Sequence, residues 1–346
     1  MMSENLAGHI EKRRRELDTR VLVMGHHYQA DEVIRHTDLR GDSLELARKV
    51  KDIDAENIVF CGVYFMAESA ALLARPGQKV HLPEPSAECS MALMSEGPVV
   101  ERVLERLTEN GRKITPLAYV NSTLGVKSVV GKHGGSVCTS ANAKTMLRWA
   151  FDQGGDVLFL PDKNLGANTA KDLGMSELES LVLSVKGKGE AFDPKDTEKA
   201  RLLLWPGFCS IHTRFNLRQI DRVRGEHPDA RIIVHPECTP EVVAAADAAG
   251  STSFIIKYVA EAPAGSTIVV GTEINLVERL AAEQQGRVTV LPLVESACTH
   301  MAQTTEERLA ACLNAVAQGD NAFQVQAPEE YRENARIALE RMLQNM

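Results

Sequence analysis

Seven cysteines are spread over this 346-residue chain, and three of them share a setting. Cys89 lies in residues 80–92, VHLPEPSAECSMA; Cys209 in residues 202–212, LLLWPGFCSIH; Cys298 in residues 288–301, VTVLPLVESACTHM. In each, an apolar strand runs into a short loop that delivers a cysteine followed by a hydroxyl residue. The three lie 120 and 89 residues apart, one at the end of each third of the chain. That distribution is expected if three similar domains converge on one shared metal. Three thiolates with no obvious fourth partner suit a zinc ion or an iron–sulfur cluster. A cluster held by three cysteines leaves one iron open to act as a Lewis acid on substrate oxygens. Cys61, inside the strand-like IVFCGV, and Cys312, on an amphipathic stretch, read instead as small core hydrophobes. There is no CxxC pair, so a zinc ribbon or a thioredoxin-type centre is not expected.

Acid–base and hydrogen-bonding residues recur at other strand ends. The run His26-His27-Tyr28-Gln29 offers imidazoles and a phenol, and His235 with Glu237 offers an imidazole and a carboxylate. Tyr119 and Asn121 close another strand in YVNS. Ser43, Ser140 and Thr252, the last with Ser251, stand at or near element starts. Hydroxyls there cap helices, and free N–H groups at a helix start bind phosphate or carboxylate. Lys163, in PDKNLG, reads as a structural loop residue.

The elements that must position these residues alternate regularly. Residues 3–18 read as an opening helix, and 20–24, 57–63 and 79–82 as strands of a first third. Asp42 and Glu45 have capping-box spacing before a helix over 44–50. Strands over 113–120 and 156–160 and a helix over 141–151 follow, with residues 174–200 polar enough for an exposed loop or helical hairpin. The last third gives strands over 230–234, 253–257, 266–270 and 288–291, with Thr239 as an N-cap before Pro240. Helices over about 305–318 and 328–345 close the chain. Strand, polar loop, helix, strand again predicts an α/β fold of three similar three-layer αβα domains with parallel sheets. Ligands in such sheets bind beyond the carboxyl ends of the strands. The domains are expected over 1–108 (with Cys89), 109–222 (with Cys209) and 223–302 (with Cys298), and the helices of 303–346 pack back on them.

Hydrophobic residues make up 44% and charged residues 25%, with a net charge of −8. That balance suits a globular protein and argues against a nucleic-acid binder. No apolar run approaches the roughly 20 residues that span a bilayer, and the charged N-terminal stretch lacks a signal-peptide core. A cytoplasmic protein without membrane or nucleic-acid partners is expected, its cysteines thiols or metal ligands.

The segments HHYQ, GDSLELA, GVYFMAESA, ECSMA, YVNS, CTSANA, LFLPDKNLG, WPGFCSIH, HPEC, AGSTSFI, GTE and ACTHM, in this order from about residue 20 to 302, resemble the quinolinate synthase family. The resemblance implies a pseudo-threefold arrangement of three domains around a central iron–sulfur site, a 4Fe–4S cluster held by Cys89, Cys209 and Cys298 with one open iron. It implies condensation of iminoaspartate with dihydroxyacetone phosphate to quinolinate, with loss of phosphate and water, in NAD biosynthesis. Functional coupling to an aspartate oxidase or dehydrogenase would supply the imine. The substrate-site positions that match are His26, Tyr28, Ser43, Tyr119, Asn121, Ser140, His235, Glu237, Ser251 and Thr252, with Tyr28, His26, His235 and Glu237 moving protons. Some long members carry a CxxCxxC run at the third cysteine; here only Cys298 is present, so no redox switch built on that run is expected. The alternative reading is a non-catalytic iron–sulfur sensor or a small-anion binding protein on the same scaffold.

Overall fold

The computed structural model describes residues 2–185 and 193–345, with side chains from residue 6 onward. The chain begins α1 (Met2–Leu17), β1 (Val21–His26), α2 (Asp31–Ile34), β2 (Leu39–Gly41), α3 (Ser43–Val50), β3 (Asn57–Cys61), α4 (Tyr64–Leu73) and β4 (Lys79–His81). It continues α5 (Gly97–Thr108), β5 (Ile114–Tyr119), α6 (Leu124–Lys132), β6 (Ser136–Cys138), α7 (Ala143–Asp152), β7 (Asp156–Leu160), α8 (Lys163–Asp172), β8 (Ser180–Val182) and β9 (Leu202–Leu204). Then come α9 (Leu217–Glu226), β10 (Arg231–Val234), α10 (Pro240–Ala245), β11 (Ala248–Ala249), α11 (Thr252–Ala260), β12 (Thr267–Gly271), α12 (Ile274–Glu283), β13 (Thr289–Pro292), α13 (Glu306–Ala317), β14 (Gln324–Val325) and α14 (Glu329–Gln344).

Three sheets result, and each contains the same four-strand order. The runs β2-β1-β3-β4, β6-β5-β7-β9 and β11-β10-β12-β13 are parallel throughout. The first sheet gains β14, antiparallel on the β4 edge, and the second gains β8 beside β9. The central strands are nearly continuous apolar runs, such as DVLFL and TIVVG, because a parallel sheet is covered on both faces. The fold is α/β with three parallel sheets, as the alternation predicts.

Two compact units hold these elements. One comprises Met1–Cys89, Glu273–Glu283 and Glu295–Ala327; the other comprises Ser90–Thr272, Gln284–Val294 and Pro328–Met346. In the first, Ile10, Leu17, Val23, Val59, Leu309 and Leu313 form a buried cluster joining α1, β1, β3 and α13, with Cys61 and Cys312 inside it. Both cysteines are core residues, as their settings suggest. In the second, α14 packs on α6 so closely that a Cβ at Gly131 would stand 1.9 Å from the Asn334 carbonyl oxygen.

Three local expectations are corrected. The stretch 253–257 is helical, within α11, although SFIIKYV is rich in β-branched and aromatic residues. Ser251 caps that helix by accepting the Phe254 N–H, and its buried positions Thr252, Ile255 and Val259 recur at helical spacing. Within 174–200, β8 pairs with β9 where a loop or helical hairpin is expected; residues 186–192 of that stretch lie outside the described residues. Thr239 stands at the N-cap of α10, but its hydroxyl makes no capping bond.

Candidate active site

The three cysteine loops repeat one backbone design. Each cysteine is followed by a two-residue turn and then a single 3-10 turn: Ala92–Met94, His212–Arg214 and Met301–Gln303. Each loop is also tied down two residues before its cysteine. The Tyr64 N–H donates to Ala87 O (2.9 Å), Lys163 N–H to Gly207 O (3.0 Å) and Ile274 N–H to Ser296 O (3.0 Å). These donors are the first residues of α4, α8 and α12, groups that no helical carbonyl can satisfy. The parallel sheets thus end in three helices whose free N–H groups hold the three loops.

Burial separates these cysteines from the rest. Cys89, Cys209 and Cys298 are half-buried, whereas Cys61, Cys138, Cys238 and Cys312 are buried; none forms a disulfide. Burial pushes the Cys61 thiol up to about 12 and raises Cys138, Cys238 and Cys312 well above the ordinary range. The thiolate is the metal-binding form, so those four are held protonated, and the three loop cysteines have the setting of ligands.

In the second unit an acid–base group is assembled at the ends of β5, β10 and β12. Glu237 Oε2 accepts the His212 Nδ1–H at 2.7 Å, and His212 Nε2 lies 3.0 Å from the Thr272 hydroxyl. The His235 ring stacks on His212 with centroids 4.4 Å apart. The Tyr119 hydroxyl also bonds Glu237. Burial opposes the Glu237 charge, but the hydrogen bonds from His212 and Tyr119 favour it, and the carboxyl is held below its usual range. Burial, then His212, lowers His235 to about 3, against the pull of Glu237. His235 is therefore neutral. Its Nδ1 accepts the Glu237 backbone N–H at 3.3 Å, which leaves the proton on Nε2. The Cys209 sulfur and donor atoms of His212 and Glu237 all lie within 4.8 Å of one another, a set that could hold a metal ion. In the turn after β5, Asn121 Oδ1 is buried and makes no hydrogen bond, an acceptor left for a ligand.

The first unit uses the same device at the end of β1. Tyr28 N–H donates to His26 Nδ1 at 3.2 Å, and the two rings meet edge-on at 4.8 Å. Arg279 of α12 clamps the turn, donating to His27 O (2.8 Å), Gln29 O (2.6 Å) and Asp31 Oδ1 (2.5 Å). Asn275 Nδ2 donates to Tyr28 O at 3.1 Å, and Gln29 Nε2 donates to Met301 O at 3.1 Å in the Cys298 loop.

The structure thus joins Tyr119, His235 and Glu237 by contact, and separately His26 with Tyr28. The hydroxyls stand at helix starts. Asp42 supplies the α3 capping box, with Glu45 returning the bond, so Ser43 is the first helical residue. Ser251 caps α11, Thr252 is its first residue, and Ser140 sits in the turn before α7. Sequence reasoning missed His212, although it lies three residues after Cys209 in the motif WPGFCSIH. It also missed Asp162 and Glu273, which are fully buried carboxylates.

The chain is similar to known proteins over nearly its whole length. A family model described as quinolinate synthetase A protein matches residues 8–344. The chain is 45% identical to the quinolinate synthase of Corynebacterium glutamicum over 345 residues, 98% of this chain and 87% of that protein. It is 44% identical to the quinolinate synthase of Streptomyces coelicolor, covering 95% of this chain and 86% of that one. It is also 44% identical to the quinolinate synthase of Bacillus pumilus, covering 95% and 90%.

Proposed function

This chain belongs to the quinolinate synthetase A family, and from that premise we propose which of its residues carry out the reaction. The activity is that of a quinolinate synthase in NAD biosynthesis. The substrates are iminoaspartate and dihydroxyacetone phosphate, condensed with loss of phosphate and water, and an aspartate oxidase or dehydrogenase supplies the unstable imine in the cytoplasm. The three-domain division at 108, 222 and 302 is supported by the strand order common to the three sheets.

The family binds a 4Fe–4S cluster, and Cys89, Cys209 and Cys298 are the residues that would hold it. Their shared turn, their half-burial and the protonation of the four buried thiols all fit that role. When bound, the cluster supplies an iron without a cysteine ligand, a Lewis acid for substrate oxygens. The protein's own groups do the remaining work. Glu237 is held ionised and accepts protons from substrate carbon or hydroxyl. His212 and Tyr119 orient its carboxylate. His235 and His26 each have Nδ1 engaged by a backbone N–H, so each neutral ring directs an Nε2–H at substrate oxygen. Tyr28 gives or takes a proton through its phenol. Asn121 and the hydroxyls of Ser43, Ser140, Ser251 and Thr252 bind phosphate and carboxylates, the last four near helix N–H groups.

One observation carries this reading: a candidate ligand, the Cys209 sulfur, lies within 4.8 Å of donor atoms of Glu237 and His212. The test is an anaerobic assay of the cluster-loaded protein with enzymatically generated iminoaspartate and dihydroxyacetone phosphate. Quinolinate should form, and Glu237→Gln should cut turnover by about 10²–10⁴-fold with the cluster spectrum unchanged. A loaded protein that makes no quinolinate would favour a sensor, and wild-type turnover in Glu237→Gln would move the base elsewhere.

A further inference from the structure

Two of the three cysteine loops have a second tie, from an acidic residue at a helix start. Asp162 precedes α8, and its Oδ1 accepts the Asn164 and Leu165 N–H groups, both at 2.8 Å. Its other oxygen, Oδ2, accepts the backbone N–H of Cys209 at 3.0 Å. Glu273 precedes α12 and repeats the pattern. Its Oε2 accepts the Asn275 N–H at 2.9 Å, and its Oε1 accepts the Cys298 N–H at 3.3 Å. The corresponding position before α4 is Val63, which makes no side-chain cap.

The two segments read Asp162-Lys163-Asn164-Leu165 and Glu273-Ile274-Asn275-Leu276, an acid and an amide at the same spacing. Their amides also act alike. Asn164 Nδ2 donates to Glu237 O at 3.3 Å and Asn275 Nδ2 to Tyr28 O at 3.1 Å. Each helix start therefore touches a cysteine loop and an acid–base motif together. Capping alone does not require this burial: a serine or threonine caps a helix as well, whereas a carboxylate with no exposed surface is costly unless its oxygens are bonded. In Asp162 one oxygen serves the helix and the other a cysteine, and in Glu273 the oxygen that accepts the Cys298 N–H also accepts the Asn275 Nδ2–H at 3.0 Å.

We propose that Asp162 and Glu273 are positioning residues for Cys209 and Cys298, fixing the backbone that presents each sulfur to the cluster. The proposal rests on the reading of these cysteines as ligands. Partners that orient metal ligands change metal retention by about 10–100-fold when altered. An amide replacement isolates this role. Its one carbonyl oxygen can still cap the helix, while its NH₂ faces the cysteine N–H, donor against donor.

The experiment loads wild type, Asp162→Asn and Glu273→Gln anaerobically with iron and sulfide, then follows loss of the cluster spectrum to an iron chelator. Thr305→Ala, which removes the α13 cap, is the control for lost helix stability. The amide variants should release the cluster about 10–100-fold faster than wild type, and Thr305→Ala should release it at the wild-type rate. Wild-type release from both amide variants, with no cluster in Cys209→Ala or Cys298→Ala, overturns the positioning role and leaves the ligand reading standing. A cluster retained in those two cysteine variants overturns both. Should Asp162→Asn not fold, Glu273→Gln decides the matter alone.

Discussion

The histidines of this chain divide by what their Nδ1 atoms meet. In His235 and His26 a backbone N–H occupies Nδ1, so the neutral ring is the one the fold accommodates. His81, in β4, is neutral for another reason. Its Nε2–H is paired with Asn57 Oδ1 at 2.9 Å, its Nδ1 has no hydrogen-bond partner, and burial, then Lys79, lowers it to about 4. A proton on Nδ1 would place a buried donor against no acceptor. The folded pKa lies below that of the unfolded chain, so the unfolded state binds the extra proton first. His81 thus contributes stability that is complete above pH 6.5 and is lost as pH falls through about 4. Chemical denaturation of the cluster-free protein at pH 7 and pH 4.5 should show a loss that His81→Gln reduces by roughly 2–3 kcal/mol. An identical pH dependence in the variant would show that His81 does not titrate on unfolding.

At the scale of elements, the closing helix is held by the absence of a side chain. Gly131 lies in α6 against the backbone of α14, and no rotamer can relieve a Cβ placed 1.9 Å from the Asn334 oxygen. Gly131→Ala should cost about 3 kcal/mol or more, read as a melting midpoint several degrees lower and faster proteolysis near residue 334. A midpoint equal to that of wild type would mean that α14 is not docked there in solution. The amphipathic pattern of α14 was legible in the sequence; its seat on α6 was not, because a glycine inside a helix does not announce the backbone it faces. The same limit explains residues 253–257. Local composition favoured a strand, but Ser251 and burial every third or fourth residue decided for α11.

Over the whole molecule, repetition made the chemistry readable. Strand ends, cysteine–hydroxyl loops and the alternation of elements stand in the sequence, and each reappears as a sheet of the same order with a loop tied to a helix start. The pairing of His212 with Glu237 was hidden, since it joins residues 25 apart and depends on how β10 and the Cys209 loop end. Asp162 and Glu273 were hidden too, because a buried acid looks like any loop acid until its N–H donors are known. The central claim is that three half-buried cysteines, and not the four buried ones, hold the cluster. Iron and sulfide per chain, measured after anaerobic reconstitution of seven single Cys→Ser variants, tests it most directly. Cys89→Ser, Cys209→Ser and Cys298→Ser should carry little or no cluster, and the variants at Cys61, Cys138, Cys238 and Cys312 should load as the wild type does. A full complement in any of the first three, or a folded but clusterless protein among the other four, would contradict the account.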